Sequence, residues 1–188
     1  PAAWAMVTNA ALALDPRVAV NLNYTVSPEI LNHCIEKAGI KHVLTTRKVL
    51  DMLNIKIDAE TVFLEDFKEK VTTGDKVSAA VSAFITPASI LERSLGLHMA
   101  KADDVLTIIF SSGSTGTPKG VMLTNGNVNS NVEAIDQVVH LKKEDVIIGI
   151  LPLFHSFGYT VTMWSVLTLD IKGAYHYSPL TPKPISRL

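Results

Sequence analysis

Cysteine is almost missing from this chain. Cys34 stands alone among 188 residues, so no internal disulfide can form, and the composition suits a reducing compartment such as the cytoplasm. Charge of one sign is not in excess either: 17 Lys and Arg against 18 Asp and Glu leave a net charge of −1. Such a balance gives no basic field and argues against nucleic acid as a partner. No apolar run reaches the roughly 20 residues that a membrane-spanning helix needs. The apolar start at 1–14 lacks a basic leader and is interrupted by Thr8 and Asn9, so it does not read as a signal peptide. Internal repeats are missing, no His, Cys, Asp or Glu cluster has metal-ligand spacing, and no Ser/His/Asp set stands out. What remains is 47% hydrophobic side chains against 19% charged, the balance of a globular chain with a sizeable core.

Strand and helix patterns alternate from the start. Residues 2–14, rich in Ala and Leu, predict a buried helix ended by Asp15-Pro16, and 18–21 a short strand. Ser27-Pro28-Glu29 is a helix start, with the N-cap at Ser27 and proline at the first helical position. Ile30, Leu31, Cys34, Ile35 and Ala38 follow at helical spacing until Gly39, and Cys34 reads as a small buried hydrophobe. A strand at 42–45, a short helix at 46–53 and a strand at 61–64 come next. The alternation predicts an α/β fold with a mostly parallel sheet flanked by helices.

Residues 76–97 break the pattern. Val77, Ala80, Val81, Phe84 and Ile85 form a helical stripe, Pro87 interrupts it, and Ile90, Leu91 and Leu95 continue it to Gly96. The favoured reading is a helical hairpin or kinked helix packed on the domain's own core. The rival is a peripheral membrane contact through 77–95, weakened by the scarcity of flanking Lys and Arg.

The most informative stretch is Ser-Ser-Gly-Ser-Thr-Gly-Thr-Pro-Lys-Gly at 111–120, directly after the apolar strand pattern of 105–110. A Gly/Ser/Thr cluster is usually a plain solvated loop. Here it lies between a β-branched run and Val121-Met122-Leu123 and closes on Pro-Lys-Gly, which marks a tight connection inside a core. Gly113, Gly116 and Gly120 allow positive φ and close backbone approach, so successive N–H groups can turn inward around an anion. Ser111, Ser112, Ser114, Thr115 and Thr117 add hydroxyl donors, and Lys119 adds a point charge. The spacing is not that of the kinase or GTPase loop, where Lys directly follows Gly and precedes Ser or Thr.

Beyond the loop, 120–123 reads as a strand and Thr124 or Asn125 as the cap of a helix over roughly 127–140. A strand at 145–151 ends at Pro152, and Leu-Phe-His-Ser-Phe-Gly-Tyr at 153–159 turns the chain into a helix carrying Val161, Trp164, Leu167 and Leu169. A strand near 174–177 leads to a proline-rich tail. In open α/β sheets ligands collect outside the carboxyl ends of strands. If the strands before them are neighbours, the 111–120 and 153–159 loops wall one crevice, with phosphate on one side and an apolar surface bearing His155 on the other. A histidine in an apolar run is more often a satisfied core residue, and the turn around Gly158 leaves the two readings level. His33, His42, His98, His140 and His176 have no such setting, and Asp103-Asp104 reads as a solvated turn.

The sequence at 111–120, followed by Val-Met-Leu-Thr at 121–124 and by Leu-Pro-Leu-Phe-His-Ser-Phe-Gly at 151–158, resembles the AMP-dependent synthetase (adenylate-forming) superfamily of acyl-CoA synthetases, luciferases and peptide-synthetase adenylation domains. The stretch 21–31 is also similar to the synthetase part of bacterial acyl-ACP synthetase / 2-acylglycerophosphoethanolamine acyltransferase proteins. The resemblance implies a two-step ligase using ATP and Mg2+, a carboxylic acid, with a fatty acid favoured, and the thiol of CoA or an acyl carrier protein. It implies that Ser112, Gly113, Ser114, Thr115, Gly116 and Lys119 cradle the β and γ phosphates, within a loop completed by Ser111, Thr117 and Gly120. His155 would lie at the carboxylate and acyl pocket.

The same resemblance implies that 1–188 is part of the large N-terminal domain. Early α/β units would span 1–75, a helical segment 76–97, and a unit bearing both loops 103–178, with the C-terminal lid domain absent. Both ends look cut, and the family's Tyr-Gly-x-Thr-Glu stretch, ribose-binding Asp, hinge and adenylation lysine are missing. Asn125 stands where many members have His. The expectation is therefore a catalytically inactive piece of a cytoplasmic or membrane-associated ligase; the rivals are a non-catalytic nucleotide-binding regulatory module and a phosphotransferase on an unrelated phosphate loop.

Overall fold

A computed structural model of the chain describes residues 3–111 and 116–176. Its elements run α1 (Ala3–Leu14), β1 (Ala19–Val20), α2 (Pro28–Lys37), β2 (His42–Thr45), α3 (Arg47–Leu53), β3 (Glu60–Phe63), α4 (Leu64–Lys70), α5 (Thr73–Ile85) and α6 (Ala88–Ser94). After a 3-10 turn at Leu97–Met99 come β4 (Val105–Ser111), β5 (Lys119–Thr124), α7 (Asn125–Val139), β6 (Val146–Gly149), a π-helix (Gly158–Ser165), α8 (Val166–Thr168) and β7 (Lys172–Tyr175). This is the expected α/β pattern. Its described strands are distributed over three sheets, ordered β1-β4-β5, β2-β3 and β6-β7. The β1–β4, β2–β3 and β6–β7 pairs are all parallel, an arrangement that needs a crossover connection, which α3 supplies between β2 and β3.

The chain divides into two compact units. The first holds residues 1–21, 99–109 and 121–188. Its core gathers Met6, Ile109, Val128, Val132, Leu153, Tyr159 and Met163. Strand β4 lies between β1 and β5, and its inward positions Thr107 and Ile109 are buried. The Thr107 hydroxyl is satisfied by donating to the carbonyl of Ala19 at 2.7 Å. Asn9, which interrupts the apolar run of the sequence, is also buried and paired: its amide exchanges hydrogen bonds with Asn21 at 3.0 and 2.9 Å. The wholly buried helix expected at the start is not what forms. Met6 and Asn9 face inward, but Trp4 is 68% exposed and Val7 and Leu14 are exposed as well. A helix lying on a core buries one stripe only, and Ala-rich sequence hides which stripe that is.

The second unit holds residues 22–98 and 110–120. Ser27 caps α2 by accepting from the Ile30 N–H, Pro28 opens the helix, and Leu31, Cys34 and Ile35 are buried along one side. Burial pushes the Cys34 thiol up from its ordinary value. Gly39 lets the chain leave at φ +63°. Arg47 at the start of α3 pairs with Asp66 of α4 at 2.7 Å and lies over the Phe63 ring, tying β3 and α4 to α3.

The 76–97 stripe forms the two expected helices, α5 and α6, broken at Thr86-Pro87, and Thr72 with Asp75 makes a capping box ahead of α5. The expectation that the stripe packs on the domain's core is overturned. No residue of α5 or α6 is buried, and Phe84 is 90% exposed. Periodicity shows that a helix has an apolar side, not what covers it.

Candidate functional site

The first motif sits in the second unit. Ser111 ends β4, and Lys119 and Gly120 open β5. Ser112, Gly113, Ser114 and Thr115 lie outside the described residues. Gly116 has φ +82°, the left-handed conformation that the inward-turning backbone of an anion loop uses. Gly120 does not share it: it is part of β5 with no positive φ, so its role is that of an extended residue. The ends of the loop are joined by the Ser111 hydroxyl, which donates to the Lys119 carbonyl at 3.5 Å. Thr117, Lys119 and Gly120 are exposed.

One contact at this loop was not foreseen. Lys37, in the last turn of α2, donates from Nζ to the Pro118 carbonyl at 3.3 Å. A basic last turn is visible in the sequence, but its link to a loop 81 residues away is not.

The second motif sits in the first unit. After β6 the chain turns at Pro152, whose carbonyl accepts the His155 N–H at 3.1 Å; the His155 carbonyl accepts the Tyr159 N–H at 2.9 Å. Leu153 and Phe154 are buried and anchor the turn, while the side chains of His155, Ser156 and Phe157 are exposed. The His155 ring rests on Phe154 with centroids 5.1 Å apart, tilted by 41°. His155 is therefore a presented side chain on an anchored turn, not a satisfied core histidine. Gly158 is needed for contact reasons: a Cβ there would come 2.2 Å from the Pro152 carbonyl oxygen.

The helix after this turn is π-helical over Gly158–Ser165, a rare form that is concentrated at functional sites. Its hydroxyls explain part of that geometry. Thr162 donates to the Gly158 carbonyl at 2.5 Å, Ser165 to Thr160 at 3.3 Å and, one turn on, Thr168 to Trp164 at 2.7 Å, so side chains compete for carbonyls that an α-ladder would use. Tyr159 is wholly buried. Its hydroxyl and Trp164 Nε1 have no partner of good hydrogen-bond geometry among the described residues. Burial pushes the Tyr159 hydroxyl up, and the nearby Trp164 and Thr107 side chains offset only part of that.

Asn125, the departure from the family pattern, starts α7 and donates from its side-chain amide to the Lys101 carbonyl at 3.0 Å. Thr124 caps that helix, and its hydroxyl and the Asn127 side chain form a reciprocal capping box. Asp104 closes the expected turn by accepting from the Lys101 N–H at 2.7 Å. Among the described residues no group of three or more His, Cys, Asp or Glu is placed to hold a metal ion, and no helix is long and apolar enough to cross a membrane.

Known proteins resemble this chain along most of its length. Acyl-CoA ligase sidI of Beauveria bassiana (strain ARSEF 2860) is 28% identical over 170 residues, covering 84% of this chain and 28% of the relative. Long-chain-fatty-acid–CoA ligase 4 of Saccharomyces cerevisiae is 27% identical over 173 residues, covering 91% of this chain and 23% of the relative. The chain thus spans about a quarter of the length of these curated relatives. In fold it is similar to o-succinylbenzoate coenzyme A synthetase from Bacillus subtilis in complex with ATP and magnesium ion, with a TM-score of 0.75 at 19% identity over 100% of this chain and 35% of that one. The family described as AMP-binding enzyme matches residues 2–182, and the chain belongs to that family.

Proposed function

We propose that this chain is the phosphate-loop part of a ligase that activates a carboxylic acid with ATP and passes the acyl group to a thiol, of CoA or of a carrier protein. The observation that carries the reading is the pairing of the 111–124 and 151–158 motifs in a chain that belongs to the AMP-binding family. In the first step a carboxylate oxygen bonds to the α-phosphorus, and the bond to the bridging oxygen breaks with its electrons leaving on pyrophosphate. In the second, the thiol sulfur replaces the adenylate oxygen at the acyl carbon, releasing AMP and a proton.

Charge grows on the departing pyrophosphate, so donors already aimed at it lower the barrier. In this reading Ser112, Gly113, Ser114, Thr115, Gly116 and Lys119 hold the β and γ phosphates, within a loop that Ser111, Thr117 and Gly120 complete. The metal enters as MgATP, bound to the nucleotide's own phosphates. His155 presents its ring at the carboxylate and acyl side. A fatty acid is the proposed substrate class, in keeping with the name of the yeast relative.

The 188 residues alone are proposed to be inactive, because they span only about a quarter of the length of the curated relatives they match. Carboxylate-dependent ATP–pyrophosphate exchange tests this: the full-length protein should exchange and the isolated chain should not. Exchange by the isolated chain overturns the inactivity. ATP binding without exchange in the full-length protein would favour a regulatory module instead. A second reading, peripheral membrane contact through 77–95, is favoured by the exposure of Val77, Val81, Phe84 and Ile85. Liposome flotation of wild type against Phe84→Asp decides it, and equal binding, or none by either, removes the idea.

A further inference from the structure

Tyr175 of β7 lies across two glycines. In the parallel register it stands opposite Gly149, and Gly173 precedes it by two positions on the same face. A Cβ at Gly149 would come 2.3 Å from Tyr175 Cδ1, and one at Gly173 would come 2.4 Å from its Oη. Neither position can take a side chain while the ring stays where it is. Laid over this bed, the tyrosine sends its hydroxyl to the Thr162 carbonyl, donating at 2.7 Å into the middle of the π-helix.

That carbonyl is the one an α-helix would give to the Val166 N–H. Here the Val166 N–H goes to Met163 instead. A hydroxyl from another element therefore bonds the carbonyl that an α-ladder would give to Val166, while the Val166 N–H is turned to Met163. We infer that Tyr175 is the latch that keeps residues 158–165 in π-helical register, and through them a positioning residue for the turn that presents His155; the second clause rests on the proposed role of His155.

The connection is short. The first backbone bond into the π-helix runs from Tyr159 to His155 itself, and Gly158 packs against the Pro152 carbonyl that also holds the His155 N–H. Loss of the latch would let the Val166 N–H move from Met163 to Thr162, shift the turn by one residue into α-register, and swing Tyr159 and Trp164 about the helix axis. Neither Gly149, Gly173 nor Tyr175 belongs to the two sequence motifs.

Tyr175→Phe keeps the ring and removes only the donor, and Gly149→Ala displaces the ring from its bed by another route. The full-length protein is compared in two assays. Hydrogen exchange of the amides of 159–166 should accelerate about fivefold in Tyr175→Phe, the ratio expected for loss of one hydrogen bond, and Gly149→Ala should move it in the same direction. In steady-state adenylation the KM for the carboxylate should rise about fivefold while the KM for ATP stays unchanged. Unaltered exchange in both variants overturns the latch whatever the kinetics. Faster exchange with an unmoved carboxylate KM overturns the positioning role. A wild-type protein that exchanges normally but forms no acyl-adenylate removes the reading of His155, and the positioning role with it, while the exchange arm still decides the latch.

Discussion

Gly158→Ala puts the geometry of the aromatic turn to a quantitative test. The backbone at Gly158 is not left-handed, so alanine meets no conformational penalty there. It meets atoms: the new Cβ would lie 2.2 Å from the Pro152 carbonyl oxygen and 3.0 Å from that of Leu151. A carbon to oxygen contact needs about 3.3 Å, so the turn must open by roughly an ångström. Both opposing atoms are backbone, and the nearer one already accepts the His155 N–H. No side-chain rotation relieves the clash. The cost should sit at the upper end of the overpacking range, about 3 kcal/mol, or about 6–12 °C in Tm for a chain of this size.

Urea unfolding followed by circular dichroism measures it, with an unchanged slope showing that only stability moved. Gly149→Ala is the internal comparison. The atoms it meets belong mainly to the Tyr175 side chain, which can move at the cost of one hydrogen bond, so its effect should be smaller, about 1–2 kcal/mol. A Gly158→Ala midpoint within about 0.5 kcal/mol of wild type, the ordinary spread of surface substitutions, would refute the contact argument.

Thr124→Ala removes the hydroxyl half of the α7 capping box and should cost about 1 kcal/mol, read as a lower urea midpoint; Thr124→Ser should restore it. Lys143 holds the Asp170 carboxyl below the usual carboxylate range by hydrogen bond and charge. A depressed carboxyl stabilises the fold above its ordinary pKa and loses that contribution as pH falls through the folded-state value. The wild-type advantage over Asp170→Asn in urea midpoint should therefore shrink steadily on acidification below about pH 4; a constant difference down to pH 2 contradicts it. High salt should also narrow the gap, because the pair is exposed.

Local chemistry made much of the second unit legible in the sequence. Ser27-Pro28 gave the start of α2 to the residue, and Gly39 stands just past its C-cap at Ala38. Of the two possible caps for α7, Thr124 and Asn125, Thr124 is the one used. Where the expectations failed, the deciding interaction was distant. Which side of α1 is buried depends on the Asn9–Asn21 amide pair and on Met6 meeting the core. The stripe of α5 and α6 has the periodicity of a packed helix with no described element covering it.

The sequence after Gly158 predicts an ordinary helix, and a π-helix forms there. Its signals were the hydroxyls Thr160, Thr162, Ser165 and Thr168, spaced so that each of the last three reaches back to a carbonyl on the preceding turn, together with two glycines that only a strand pairing brings under Tyr175. The two site motifs were legible because they consist of contiguous residues whose chemistry needs a fixed spacing. Lys37, whose place at the 111–120 loop depends on tertiary structure, was not.

Central to the proposed function is the 111–120 loop as a binder of departing pyrophosphate. Its most direct test is carboxylate-dependent ATP–pyrophosphate exchange by the full-length protein with Lys119→Ala against wild type. A lost charge-assisted contact of about 1.5–3 kcal/mol predicts a rate lower by roughly 10- to 150-fold, with the urea midpoint unchanged because Lys119 is exposed. An exchange rate equal to wild type would contradict the account.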